Sequence, residues 1–232
     1  MNLLAIETAT RQLSVALQVG DRHVSRSARA ASGGSEFLLP WIQALLAETG
    51  SRFDDIEAIA FGAGPGSFTG LRLACGIAQG LAFGLQRPVI PVGSLAALAI
   101  ASGEPRVYAC LDARMNEVYV AAYEIDALGC HEVLAPRACA PAAAPRPPSE
   151  GFFACGDGFA VHDGPLRSAL GGCFVAIDAT LLPDASAVLT LAEGAPHTAV
   201  TAAEAKPIYL RDKVALDVGE QQALRAARLA RS

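Results

Sequence analysis

The sequence predicts an α/β protein of two related lobes built on largely central sheets, and three observations predict it. Strand and helix patterns alternate through the first hundred residues, the order expected of a sheet covered by helices. A glycine-rich turn at 64–72, GPGSFTGLR, joins a buried apolar run to a long apolar helix. A second strand–turn–strand unit, VYACLDARMNEVYVAAY, begins at 107 and lies over LLAIETATRQLSVAL at the head of the chain. Glu7 matches Asp112 at the end of the first strand, and Ser14 and Tyr119 each come seven residues later. Two hairpins with an acidic residue at the same turn suggest a duplicated lobe, 1–103 and 104–232.

The elements follow in order. Residues 3–7 are a short apolar strand, and 12–19 return from it through the polar turn Thr8-Ala9-Thr10-Arg11. A third strand is expected at 23–30. Phe37, Leu38, Trp41, Ile42, Leu45 and Leu46 recur at helical spacing, with Ser35 as N-cap, Gly50 as the stop and a bend at Pro40. A buried strand at 56–61 leads through the glycine turn into a helix at about 67–85. A strand at 89–92 and a short helix from Ser94 close the first lobe. After the second hairpin, the Pro/Ala-rich stretch 136–149 is expected to leave the sheet as a surface excursion. A strand at 152–155, helices at 158–169 and 184–193, and a C-terminal helix from Gly219 complete the chain.

Composition narrows the class. With 232 residues, 52% apolar and 18% charged, the chain can bury a sizeable core. The longest apolar candidate, 73–85, falls short of the ~20 residues of a membrane span and is broken by glycines and Gln79. The first residues lack a basic region and soon meet Glu7, unlike a secretory signal, so a cytoplasmic protein without membrane contact is expected. Six widely spaced cysteines without a C-x-x-C pair are expected to be free thiols. A net charge of −5 does not suit a chain that grips RNA alone. Arg225, Arg228 and Arg231, at helical spacing, are taken as a solvated face.

The motifs are weak as catalysts. Gly64, Pro65, Gly66 and Ser67 open a helix whose N-terminus could favour an anion, yet no Gly-Lys-Ser/Thr follows, and a tight turn capped by Ser67 is the better reading. Along that helix Gly76, Gly80 and Gly84 form one small row and Ala74, Ala78 and Ala82 another. Each interior glycine costs about 0.8–1.0 kcal/mol relative to alanine. The row therefore implies close approach of another backbone, and internal packing and a subunit interface both stay open. Asp112, Arg114 and Glu117 suit a polar hairpin turn with a local ion pair, Gly156–Phe159 a turn, and His162-Asp163 a lone surface pair. The four histidines show no metal-ligand spacing.

LLAIETAT with the returning LSVAL, GPGSFTGLR leading into GIAQGLAFG, DARMNEVY, and KPIYLRDKVA at 206–215 stand in this order. Together they resemble the TsaB (YeaZ) family of tRNA threonylcarbamoyladenosine synthesis. The resemblance implies the two-lobed actin-like fold (ASKHA, ribonuclease H-like) with duplicated βαβ-type lobes. It implies a non-catalytic subunit that pairs with TsaD and works with the ATPase TsaE to place a threonylcarbamoyl group on adenosine 37 of tRNAs reading codons that begin with A. The partner face would lie on the helices at 35–49 and 67–85, with Phe37, Leu38, Trp41, Leu45, Phe68, Arg72, Gly76, Gly80 and Phe83 as candidate contacts. The same face would support a homodimer in isolation, and tRNA would be met only through the complex.

The departures point the same way. Active kinases of this superfamily place Asp-x-Gly at the first hairpin, where this chain has Glu7-Thr8-Ala9 and Asp112-Ala113-Arg114. The stretch Gly93–Leu98, where TsaD carries metal-binding histidines, holds none, so no intrinsic cofactor is expected and ATP or ADP and metal belong to the partner subunits. A small-molecule kinase or ATPase of the same fold, with Glu7 and Asp112 as its acids, is the alternative.

Overall fold

The computed structural model describes residues 1–29, 34–195 and 198–211. Two five-stranded mixed sheets are laid down in the same order. In the first, β1 (Leu3–Glu7), β2 (Gln12–Val19) and β3 (Arg22–Arg29) form an antiparallel meander. Strand β4 (Ala58–Gly64) then pairs parallel with β1, and β5 (Val89–Gly93) parallel with β4. The second sheet repeats this with β6 (Arg106–Arg114), β7 (Glu117–Asp126) and β8 (Gly129–Cys139), then β9 (Phe152–Cys155) parallel to β6 and β10 (Phe174–Asp178) parallel to β9. The orders β3-β2-β1-β4-β5 and β8-β7-β6-β9-β10 are one topology used twice.

Among the described residues six α-helices accompany the strands: α1 (Ser35–Thr49), α2 (Phe68–Leu85), α3 (Ser94–Ser102), α4 (Asp157–Val161), α5 (Asp163–Leu170) and α6 (Ala185–Gly194). Helix α1 buries Leu38, Ile42, Leu45 and Leu46, the stripe that its periodicity predicts, against the outer face of the first sheet. Its N-cap is Gly34 at φ 93, not Ser35, whose side chain makes no capping bond. The Gly34 N–H is met instead by Glu36 Oε2 at 2.9 Å. Gly50, at φ 70, ends the helix as expected. Helix α2 starts after Ser67, whose hydroxyl accepts from the Gly70 N–H at 3.5 Å, and lays Leu71, Ala74, Cys75, Ala78 and Ala82 on the same sheet.

The remaining long helices exchange lobes. Helix α3 follows β5, yet Leu95, Leu98 and Ala99 pack with Val107, Ala109 and Leu111 of the second sheet. Helix α6 follows β10, yet Ala185, Val188, Leu189 and Ala192 pack with Leu3, Ala5, Ala16 and Ala60 of the first. The two helices also touch one another, so the inner faces of both sheets are closed by a shared pair. Beyond α6 the chain returns to the first lobe. Val200 bridges to Val89, the Ala205 carbonyl accepts from Gln79 at 2.9 Å, and the Ile208 N–H donates to the Ala63 carbonyl at 2.7 Å. Arg211 then reaches the second lobe, donating to the Ala113 carbonyl at 3.3 Å and pairing with Glu117.

Other expectations are corrected by the fold. Residues 136–139 do not leave the sheet but finish β8; this is an edge strand, where Pro136 withholds no essential ladder bond, and its register is irregular beside Val120 and Ala122. The remainder does run over the surface, where the Pro145 carbonyl accepts from the buried Tyr108 hydroxyl at 2.9 Å. The helix expected at 158–169 is two helices broken at His162, and β8 and β10 were not foreseen as strands. The helix expected from Gly219, with Arg225, Arg228 and Arg231, lies outside the described residues, as do Ala30 of the third strand and much of KPIYLRDKVA. Helix α2 is long and apolar enough, by length and composition, to cross a membrane, although one side of it packs on the sheet.

Candidate partner face and inter-lobe cleft

Helix α2 carries its two rows of small residues on opposite terms. The alanine row is buried, and it is what lets the helix lie close to the sheet. The glycine row faces outward: nothing comes within 4 Å of where a Cβ would stand at Gly76, Gly80 or Gly84. The close approach that those glycines imply is therefore not made within the described chain. Phe83 continues the same face at 82% exposure, and Phe68 begins it at 38%. Burying one such aromatic is worth roughly 1.5–3 kcal/mol, so its exposure calls for an explanation.

Other exposed side chains lie on α1, which packs on the same core as α2, and around the start of α2. On α1, Phe37 and Trp41 stack with ring centroids 5.7 Å apart, and Phe37 and Leu39 remain about half exposed. Arg72 lies over the Phe68 ring at 3.8 Å and donates from Nε to the Tyr209 hydroxyl at 3.2 Å. Of the nine predicted contacts, Phe37, Trp41, Phe68, Arg72, Gly76, Gly80 and Phe83 thus retain exposed surface. Leu38 and Leu45 do not. Both are completely buried beneath α1, because their spacing turns them to the sheet, and they hold the helix in place. Tyr209 joins this face as well, and its one signal in the sequence is an aromatic residue inside KPIYLR.

The glycine turn is a packing device. Gly66 and Gly70 leave no room for a Cβ because the backbone of Thr8 and Ala9 occupies that space. The Ser67 N–H donates to the Ala9 carbonyl at 2.7 Å, and the Thr8 hydroxyl donates to the Gly70 carbonyl at 2.7 Å. Gly64 sits at φ 114 before a cis peptide to Pro65. The motif therefore clamps the first hairpin to the start of α2, as the turn reading required.

Between the lobes lies a cleft of about 530 Å³ lined by the β1–β2 turn, the first turn of α2, the β6–β7 turn and residues 208–211. Glu7 does not open into it. Its carboxyl is fully buried, accepting from the Ala9 N–H at 2.6 Å and the Ser94 hydroxyl at 2.9 Å, and lies flat against Gly62, where no Cβ would fit. Burial pushes it up to about 7, while the bonds from Ala9 and Ser94 pull the other way.

Asp112 does line the cleft, beside the tight Met115–Asn116 turn, where both residues have positive φ. Its carboxylate accepts from the Arg114 N–H at 3.0 Å, pairs with the Arg114 guanidinium at 3.3 Å, and meets His162 Nε2 at 3.2 Å. Asp157 accepts from the Asp112 N–H at 3.0 Å, and burial raises its carboxyl above the usual range. The local ion pair foreseen for Asp112 and Arg114 is present. His162 is bound to Asp112 across the fold, whereas Asp163 pairs with Arg167. Among the described residues no three His, Cys, Asp or Glu side chains are grouped to hold a metal, and all six cysteines are free.

Comparison with known proteins is consistent along the chain. The family model described as TsaD: tRNA N6-adenosine threonylcarbamoyltransferase matches residues 28–217. The tRNA threonylcarbamoyladenosine biosynthesis protein TsaB of Haemophilus influenzae is 36% identical over 230 residues, covering 92% of this chain and 95% of that protein. Its namesake from Escherichia coli is 43% identical over 133 residues, 56% of this chain and 58% of that one. The solved structure described as YeaZ from Pseudomonas aeruginosa superimposes with a TM-score of 0.83 at 38% identity, covering 90% of this chain and 99% of that one.

Proposed function

Since this chain belongs to the TsaB (YeaZ) family of tRNA threonylcarbamoyladenosine biosynthesis proteins, we propose that it is the non-catalytic partner subunit of the TsaD transferase. Its part is to dock on TsaD and order it, with TsaE as the ATPase, for transfer of the threonylcarbamoyl group to adenosine 37 of tRNAs reading codons that begin with A. Two lobes of the actin-like type, 1–103 and 104–232, form the cytoplasmic frame. ATP or ADP and metal belong to the partner subunits, and tRNA is met through the complex. Without TsaD, the same face pairs two copies of this chain.

The open outer face of α2 carries this reading. Three glycines with no neighbour among the described residues, flanked by Phe68 and Phe83, leave room for a second helix backbone to lie close. The kinase or ATPase alternative loses its first acid, because the Glu7 carboxyl is sealed beneath its own hairpin turn.

The test is co-purification with TsaD and TsaE, followed by a tRNA modification assay with and without this chain. Gly80→Arg should weaken TsaD binding by roughly 100-fold or more, about 2.7 kcal/mol, while the free chain stays folded with an unfolding midpoint no lower than the parent's. A folded Gly80→Arg protein that binds TsaD like the parent would refute the assignment of the face.

A further inference from the structure

The exposed apolar side chains of this chain are gathered rather than scattered. Of the eleven large ones left exposed among the described residues, five line the inter-lobe cleft: Phe68, Met115, Val161, Ile208 and Tyr209. Phe68 comes from α2, Met115 from the β6–β7 turn, Val161 from the end of α4, and the other two from the returning chain. Single exposed apolar residues are ordinary, whereas several meeting in one concavity mark a surface for another molecule. Phe68 also begins the outer face of α2, so the cleft and that face are continuous. The walls are held before anything binds. The Ile208 N–H is bonded to Ala63, Tyr209 packs on Phe68 with ring centroids 5.8 Å apart, and Arg211 pairs with Glu117. A preformed groove spares much of the ordering cost of binding.

The charges of the cleft are layered. Asp112, its side chain 8% exposed, and Asp157 lie in the floor. Arg114, its side chain 86% exposed, and the exposed Arg11 stand at the mouth. A phosphate finds no seat at the start of α2. The Ser67 and Gly70 amides are already bonded, to the Ala9 carbonyl and the Ser67 hydroxyl, and Thr8 and Ala9 fill the approach at Gly66 and Gly70. The carboxylates of the floor repel an anion that enters deeply. What fits is a molecule with apolar groups inside and negative charge at the rim. We propose that the cleft is a docking groove for an acidic, apolar-tipped peptide segment of the subunit that covers α2, which rests on the partner reading of that helix. Its apolar side chains enter between Phe68 and Val161, and its carboxylates meet Arg11 and Arg114.

TsaD binding to the full chain, with amide hydrogen exchange in the free and bound states, tests this. Arg11→Glu and Val161→Glu alter exposed side chains on walls that α2 does not form, so both proteins stay folded. Each should weaken TsaD binding about 10-fold, and Arg11→Glu should also flatten the salt dependence of the association rate. Amides at 113–116 and 160–162, remote in sequence from α1 and α2, should gain protection when TsaD binds. If both cleft variants bind TsaD like the parent while Gly80→Arg does not, the groove is refuted and the α2 face stands. If Gly80→Arg binds normally and the cleft variants do not, the groove stands and the α2 face is refuted. Calorimetric binding of ADP to the free chain that Val161→Glu abolishes would overturn the proposal, the cleft then being a nucleotide site. Full protection of those amides in the free chain would overturn it too, the cleft then being covered by residues 212–232 or by a second copy.

Discussion

Each lobe opens with a hairpin whose first strand ends near a carboxylate, and the two acids live in opposite surroundings. Beside Glu7, β4 runs on past the hairpin, so Gly62 and the Thr8–Ala9 turn close over the acid, and no base is bonded to it among the described residues. Beside Asp112, β9 has already ended. The chain has turned through Gly156 into α4, bringing Asp157 to the Asp112 amide and His162 and Arg114 to its carboxylate. The length of one parallel strand thus decides whether a turn acid is entombed or paired. A duplicated topology preserves strand order far better than it preserves electrostatics.

The largest expected effect tests the entombment itself. Gly62→Ala forces a methyl group into the space of the Glu7 carboxyl and should cost about 3 kcal/mol. In a Glu7→Ala background the same change should cost less than about 1 kcal/mol, measured by denaturant unfolding as a double-mutant cycle. Equal penalties in both backgrounds would break the contrast. Next comes a difference in sign. Asp112→Asn should destabilise by about 1–2 kcal/mol, because it weakens the contacts to His162 and Arg114. Glu7→Gln, above about pH 7, should be neutral or stabilising, because it removes a buried charge. Unfolding curves at pH 8 would sharpen the comparison. The smallest effect concerns the open face of α2. Gly80→Ala places a methyl in free space and should raise stability by up to about 1 kcal/mol, a gain that Gly70→Ala, pressed on Thr8, cannot show.

Most of this architecture could be read from residue order, and the reasons are local. Apolar period and turn chemistry marked β1, β2, α1, α2 and both hairpins, because each of these elements buries one face against the same chain. Strands β8 and β10 escaped notice because they lie at sheet edges and are only partly buried, so their pattern is dilute. The glycine row was visible, but its direction was not: periodicity gives two small faces on α2, and only the fold shows that the alanines take the sheet. The Asp112–His162 contact joins residues fifty positions apart and had no signal in either segment. Glu7 was recognised as an acid at a turn, whereas its burial depends on how far β4 extends.

The exchange of α3 and α6 means that the lobes, though built alike, are not separable pieces. A chain cut in the linker after Gly103 would leave a first fragment without α6 over Leu3, Ala5 and Ala16, and a second without α3 over Val107 and Ala109. Each half alone would present a bare apolar sheet to water. Mixed together, the halves should reassemble like a split reporter, each supplying the stopper that the other lacks.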